Sequence, residues 1–248
     1  TKVDLVLAAL VPTLAYRVSD SLSLGVAVQY WYSNQNVHLN VPRIDQNRED
    51  IRASINGDDT GFSFKLGSMY ELTERTRFGL IYQSEIKPEY GGDLKLVAPG
   101  GGIVPPDSEL TVAVKSELAF AEYVRFAMHH DLDDKWGVNL TIGWENWSQL
   151  GEVPLSTSNR GGAIPTKWSD TYHYAWGAEY QLDKRWAFTG GVAYDTNPVD
   201  KEDRNAQLPV DRQITYAFGT RYTISDALTV GGYINYIDLG KARIAAEN

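Results

Sequence analysis

The sequence predicts an all-β protein, and within that class an antiparallel transmembrane β-barrel. Three observations carry this. Apolar and polar residues alternate with period two along the whole chain, and no segment sustains a helical period. A short turn pattern recurs five times. The two faces of each alternating segment also differ in kind, one rich in aromatic and aliphatic side chains and the other in small residues with single charges.

The turn pattern is an aromatic ring, any residue, an aliphatic residue and a polar turn. Its copies are Tyr16-Arg17-Val18-Ser19-Asp20, Tyr70-Glu71-Leu72-Thr73-Glu74, His130-Asp131-Leu132-Asp133-Asp134, Tyr180-Gln181-Leu182-Asp183-Lys184 and Tyr222-Thr223-Ile224-Ser225-Asp226. Successive copies start 54, 60, 50 and 42 residues apart. Solenoid repeats have a fixed period set by stacking. Constant turns with variable spacing instead describe hairpins with tight turns on one side and long loops on the other. About ten strands follow, over 5–18, 22–34, 60–72, 76–88, 115–130, 136–149, 168–181, 186–196, 212–223 and 227–239. Polar connections are expected over 35–59, 89–114, 150–167 and 197–211, with Asn56-Gly57-Asp58-Asp59 reading as a turn.

The composition of the faces separates a membrane barrel from a soluble sandwich. A sandwich solvates its polar face with Lys, Glu and Thr. Here that face carries Gly, Ala, Ser and Thr, while Tyr16, Tyr70, Trp136, Tyr180, Trp186 and Tyr222 stand beside the tight turns on the apolar face. An aromatic girdle of this kind suits a membrane interface, where rings sit in lipid and polar tips reach the headgroups. No run of eighteen apolar residues exists, which excludes a transmembrane helix and leaves a β-barrel open.

Composition excludes other classes. The chain has no cysteine, and so no disulfide, thiolate metal site or thiol nucleophile. Its net charge of −9 lacks the basic footprint of a nucleic-acid binder. His129 and His130 are adjacent on a strand, point to opposite faces and do not share a metal ion. Ser169, Asp170 and His173 lack the nucleophile elbow of a hydrolase. Neither an enzyme, nor a metal site, nor a cofactor is expected.

Four segments stand out: Trp144-Glu145-Asn146-Trp147-Ser148, the strand from Asp170 to Tyr180, Gly191-Val192-Ala193-Tyr194-Asp195-Thr196-Asn197-Pro198-Val199 and Leu208-Pro209-Val210-Asp211-Arg212. They resemble segments of a known family, the outer-membrane long-chain fatty acid and hydrophobic-compound transporters of the FadL/TodX type. Gly57–Phe62 and Arg75–Gly79 are similar to earlier strands of that family. The resemblance implies a fourteen-stranded barrel with an N-terminal plug, through which fatty acids or related compounds pass and leave sideways. Against that pattern, residues 1–248 read as one incomplete barrel domain without the plug, the first strands and the last strand, and either a strained closure or a gapped, curved sheet is expected.

Uptake of this kind needs an apolar path and a group for the ligand's head. The lumen-facing cations Arg17, Lys65, Arg77, Arg125 and Arg221 are the candidates, with Glu71, Glu145 and Glu179 as competing ladder partners. An external hydrophobic catch site is expected in the loops, from Val37, Leu39, Val41 and Ile44 and from Leu94, Leu96, Val97, Ile103 and Val104. The expected partners are long-chain fatty acid or another hydrophobic small molecule, outer-membrane lipid and lipopolysaccharide, and the chain is expected to be a monomer. Other readings are a non-transport barrel, such as an adhesin or structural protein, and a diffusion porin with a wet, charged lumen.

Overall fold

The computed structural model describes residues 2–41, 51–97, 109–157, 161–165, 167–204 and 210–242. All fifteen strand segments among them belong to one antiparallel sheet. They are β1 (Lys2–Leu10), β2 (Thr13–Arg17), β3 (Leu22–Val41), β4 (Ile51–Thr73), β5 (Thr76–Gln83), β6 (Glu89–Val97), β7 (Glu109–Glu117), β8 (Tyr123–Asp131), β9 (Trp136–Glu145), β10 (Glu152–Thr157), β11 (Gly161–Pro165), β12 (Thr171–Gln181), β13 (Trp186–Asp195), β14 (Gln213–Ser225) and β15 (Leu228–Asp238).

The pairings sort these segments into ten columns, as the alternation predicts. Pro12, which has no N–H to donate, separates β1 from β2, and both pair with β3. β5 and β6 are one column, interrupted at 84–88, and β7 and β8 are the next, interrupted at 118–122. A 3-10 turn, Trp147–Gly151, joins β9 to β10, and β11 leads into β12.

The expected connections differ from the structure in extent. β4 has 23 residues, about 75 Å at ~3.3 Å per residue, where a membrane-spanning strand needs about 9–11. The β3–β4 ladder continues unbroken from Leu22↔Tyr70 to Val41↔Ile51. β6 pairs with β7 over 89–97, and β10 with β11 over 152–165. Much of the three segments read as loops is therefore hairpin. Asn56–Asp59 is strand, opposite Ser33–Asn36. Their apolar positions, Val37, Ile55, Leu94 and Val112, fall on one row because each stretch inherits its register from the membrane part of the same ladder.

Register assigns every side chain to a face. Leu24, Val26, Val28, Tyr30, Phe62, Phe64, Ile142, Trp176 and Phe218 are exposed on the outer face. From Trp136 to Trp144 along β9 is eight residues, ~26 Å of strand, which fits an apolar band once strand tilt is included. Outer-face rings meet across strands near the tight turns, Trp136 with Tyr180 at 4.6 Å and Trp186 with Tyr222 at 4.5 Å between centroids. The opposite face is the concave one. Ser33 Oγ on β3 lies 2.7 Å from the Tyr90 hydroxyl on β6, and Gln35 Nε2 donates to Ser116 Oγ on β7 at 2.7 Å. Both contacts skip intervening strands, and only a strongly curled sheet permits that.

The curl comes with a one-residue slip. β4 pairs with β6 as Asp58↔Gly91 and with β5 as Lys65↔Gln83, which leaves one extra residue on the β5/β6 column. The slip turns Ile86, Pro88 and Tyr90 inward, and all three are buried. At the sheet's two ends, β1/β2 and β15 do not pair with each other among the described residues. Of the two closures expected, the gapped, curved sheet is the one observed.

Candidate functional site

The concave face follows from the small residues on one side of each strand. Gly25 faces Gly67 across β3 and β4, and one step along the sheet Gly79, Ala127 and Thr141 face one another across β5, β8 and β9. Their lack of bulk leaves a cavity of about 650 Å³, walled in addition by Met69 and Ile81 and edged by Arg77, Arg125 and His129. Its volume lies in the range of small-molecule sites, ~300–1,000 Å³.

All five predicted cations share this face by register, but their environments differ. Arg17 is committed to its own turn, donating from Nε to Ser19 O at 3.2 Å and from Nη2 to Asp20 O at 2.7 Å. Arg125 Nη2 is 2.6 Å from Glu145 Oε1, the ladder pairing expected of a barrel interior. Arg77 stands opposite Glu71 in register without forming an ion pair with it among the described residues. Glu179 receives Asn139 Nδ2 at 3.1 Å instead of an arginine. Arg77 and Arg125 are brought to one cavity; Arg221 is exposed beside the β14–β15 turn. Lys65 lies one inward position above Gly67, half-buried.

A second cavity of about 600 Å³ opens at the loop end, and Arg125 borders both. Trp147 and Trp168 face each other there, centroids 5.4 Å apart and tilted by 60°. Trp147 Nε1 donates to Glu145 Oε2 at 2.9 Å, and His173 Nδ1 lies 2.6 Å from Asp195 Oδ1. The sequence does not single out this site, because its residues come from β8, β9, the 3-10 turn, β12 and the approach to it, β13 and β14. The one signal is the pair of tryptophans just outside the alternating segments.

The catch residues lie on strands, not loops. Val37 and Leu94 share one row with Ile55 and Val112 across β3, β4, β6 and β7, and Leu39 and Leu96 occupy the next row by register. Val97 falls on the opposite face, paired with Arg52 and Glu109. Ile44, Ile103 and Val104 lie outside the described residues.

Comparison with known proteins matches residues 1–248 to one family, outer membrane protein transport protein (OMPP1/FadL/TodX). The chain belongs to this family. It is 27% identical over 194 residues to the long-chain fatty acid transport protein of Escherichia coli strain K12, covering 75% of this chain and 43% of that protein. It is 24% identical over 262 residues to outer membrane protein P1 of Haemophilus influenzae, covering 94% and 54%. The chain thus spans about half the length of the curated relatives it matches. Among solved structures, a Pseudomonas aeruginosa FadL homologue superposes with a TM-score of 0.84 at 20% identity, covering 95% of this chain and 60% of that one. The Ralstonia pickettii toluene transporter TbuX gives 0.64 at 18% identity, covering 95% and 67%.

Membership makes this chain an outer-membrane β-barrel protein of a transport family, not an enzyme family. His130 faces outward with Nδ1 2.9 Å from Thr76 Oγ1, while His129 faces inward against Asn139 and Asp131. His173 faces inward against Asp195.

Proposed function

We propose that the chain forms part of the wall of a passive uptake path for hydrophobic compounds, with long-chain fatty acid as its ligand. The carrying observation is the cavity on the concave face, lined by small side chains and bordered by cations. Small residues on neighbouring strands leave room for an apolar chain to slide without a fixed pocket for each methylene. The row Val37, Ile55, Leu94 and Val112 supplies an apolar surface where the strands leave the lipid. Ligand captured there moves down its concentration gradient, and no covalent chemistry or cofactor takes part. The outer face meets outer-membrane lipid, lipopolysaccharide surrounds the loop end, and the protein acts as a monomer.

The facing Trp147 and Trp168 rings favour a second ligand class, small aromatic hydrocarbons, in the loop-end cavity. One assay tests both. The detergent-refolded chain is titrated with a fluorescent long-chain fatty acid, and short-chain acid or toluene is added as competitor. Saturable binding that the short acid leaves in place is expected. Displacement by toluene alone would move the assignment to the aromatic class, and absence of saturable binding would remove the uptake reading for these strands.

A further inference from the structure

The wall of the loop-end cavity carries a hydrogen-bond acceptor whose partner is missing. His173 on β12 and Asp195 on β13 are directly opposite each other, and both line the cavity. His173 Nδ1 lies 2.6 Å from Asp195 Oδ1. A carboxylate only accepts, so the proton of the neutral imidazole sits on Nδ1 and the lone pair on Nε2. Nε2 has no hydrogen bond among the described residues. On the other side of His173 stands Gly143 of β9, where a Cβ would come within 3.2 Å of the His173 Cβ. The two neighbouring strands thus set the ring: Asp195 fixes its proton, and Gly143 leaves it room.

The other groups around the cavity decide what can meet that acceptor. Its charges are already matched. Arg125 is taken by Glu145 at 2.6 Å, and Glu145 gives its second oxygen to Trp147 Nε1. Asp211 receives Arg204 Nη2 at 3.3 Å and the backbone N–H groups of Arg212 and Lys241 at 2.8 and 2.9 Å. A charged ligand would lose its water there without gaining a counter-charge. The apolar lining is Trp147, Trp168, Pro198 and Val210. The segments that carry the two indoles are tied down around it. Asp170 Oδ1 accepts Ser148 N at 3.1 Å, its Oδ2 accepts Trp144 Nε1 at 3.0 Å, and Ser169 N donates to Pro198 O at 2.6 Å. A preformed aromatic wall beside a neutral acceptor suits an uncharged ligand with a ring and a hydrogen-bond donor.

We propose that the loop-end cavity takes a phenol, with its ring against Trp147 and Trp168 and its hydroxyl donating to His173 Nε2. The inference rests on the aromatic reading of this cavity given above and narrows it from hydrocarbons to hydroxylated aromatics. A hydrocarbon that displaces water from the cavity leaves Nε2 unpaired. That unpaired group is what lets a polar site reject the analogue lacking the hydroxyl. A phenol, like a tyrosine side chain with its pKa near ~10, is uncharged at neutral pH, so the Arg125–Glu145 pair stays as it is. Asp195 is the positioning residue, since it holds the imidazole in the tautomer that accepts.

The test is isothermal titration of the refolded full chain in detergent with phenol, with anisole, which keeps the ring and the oxygen but has no O–H, and with toluene. Phenol should bind more tightly than anisole. His173→Phe with Asp195→Val removes both partners of the pair together and should lower the phenol-to-anisole affinity ratio about tenfold, equivalent to ~1.4 kcal/mol. A ratio that the double variant leaves unchanged, or anisole binding the wild type as tightly as phenol, overturns the hydroxyl site and leaves the aromatic reading standing. Failure of all three ligands to bind the wild type overturns the aromatic reading itself. If the double variant does not fold or binds none of the three, nitrogen NMR of the histidines in the wild type decides. Phenol, and not anisole, should shift the Nε2 resonance of His173, and an unmoved resonance overturns the proposal.

Discussion

At the tight-turn end, four of the chain reversals are each held by one of their own side chains. Asp133 Oδ1 accepts the N–H groups of Lys135 and Trp136 at 2.7 and 2.8 Å, and Asp183 Oδ1 those of Arg185 and Trp186 at 2.7 and 2.9 Å. Ser19 Oγ does the same for Ser21 and Leu22, and Thr73 Oγ1 for Arg75. At the loop end nothing so local operates. The β3–β4 and β6–β7 hairpins are held by contacts between distant strands, Ser33 with Tyr90 and Gln35 with Ser116, and by glycines that let the sheet curl. The tight turns are local structure and the extension is tertiary structure. Local devices act through residues within three positions of each other, so they recur as a motif. The extension acts through partners up to 81 residues apart and leaves no repeat.

This difference predicts where damage is severe. A Cβ on Gly92 would lie 1.6 Å from the Asn56 carbonyl oxygen, a backbone atom that cannot step aside, whereas a Cβ on Gly91 meets nothing within 4 Å. Gly92→Ala should cost at least the ~3 kcal/mol at the upper end of overpacking, and Gly91→Ala should be tolerated. Thermal unfolding of the two variants in detergent checks this, and equal melting temperatures would contradict the curl as described.

Tyr90→Phe should have a smaller effect. It removes the bond to Ser33 from a buried site at a cost of about 1 kcal/mol. A double-mutant cycle with Ser33→Ala should show the two effects to be non-additive. Additive losses would mean that the pair does not couple β3 to β6.

The turn aspartates should matter least for stability, and their effect should depend on pH. Backbone N–H groups hold the Asp133 and Asp183 carboxyls below the usual aspartate pKa. A lowered folded-state pKa contributes stability that is fully present above the unfolded value, ~3.9, and is lost as pH falls through the folded one. Asp133→Asn should therefore melt slightly below wild type at neutral pH, and the difference should vanish in acid. A difference that persists at low pH would assign the turn's stability to something other than the carboxylate.

The face assignment was legible in the sequence because period two is read residue by residue. Arg17, Lys65, Arg77, Arg125 and Arg221 were placed on one face by alternation alone, and the register agrees. Their fates were not legible. Glu145 was expected among the ladder partners and pairs with Arg125, but Glu71 forms no such pair and Glu179 takes Asn139. Arg17 turns to carbonyls two and three residues away. The loop-end cavity was not legible either, because Trp147 and Trp168 lie 21 residues apart in sequence and meet only once β9 and β12 have paired.

By itself the sequence determined the antiparallel sheet, the ten columns, the lipid-facing side and the turn chemistry, since all of these depend on neighbours one to five residues apart. The tertiary structure decided how far the hairpins run beyond the lipid, where the β5/β6 column slips by one residue, and whether the sheet's edges meet. It also decided which inward cation finds an acid, Arg125 with Glu145. Those outcomes depend on curvature, and curvature sums small twists over many strands, so no single stretch of sequence encodes it.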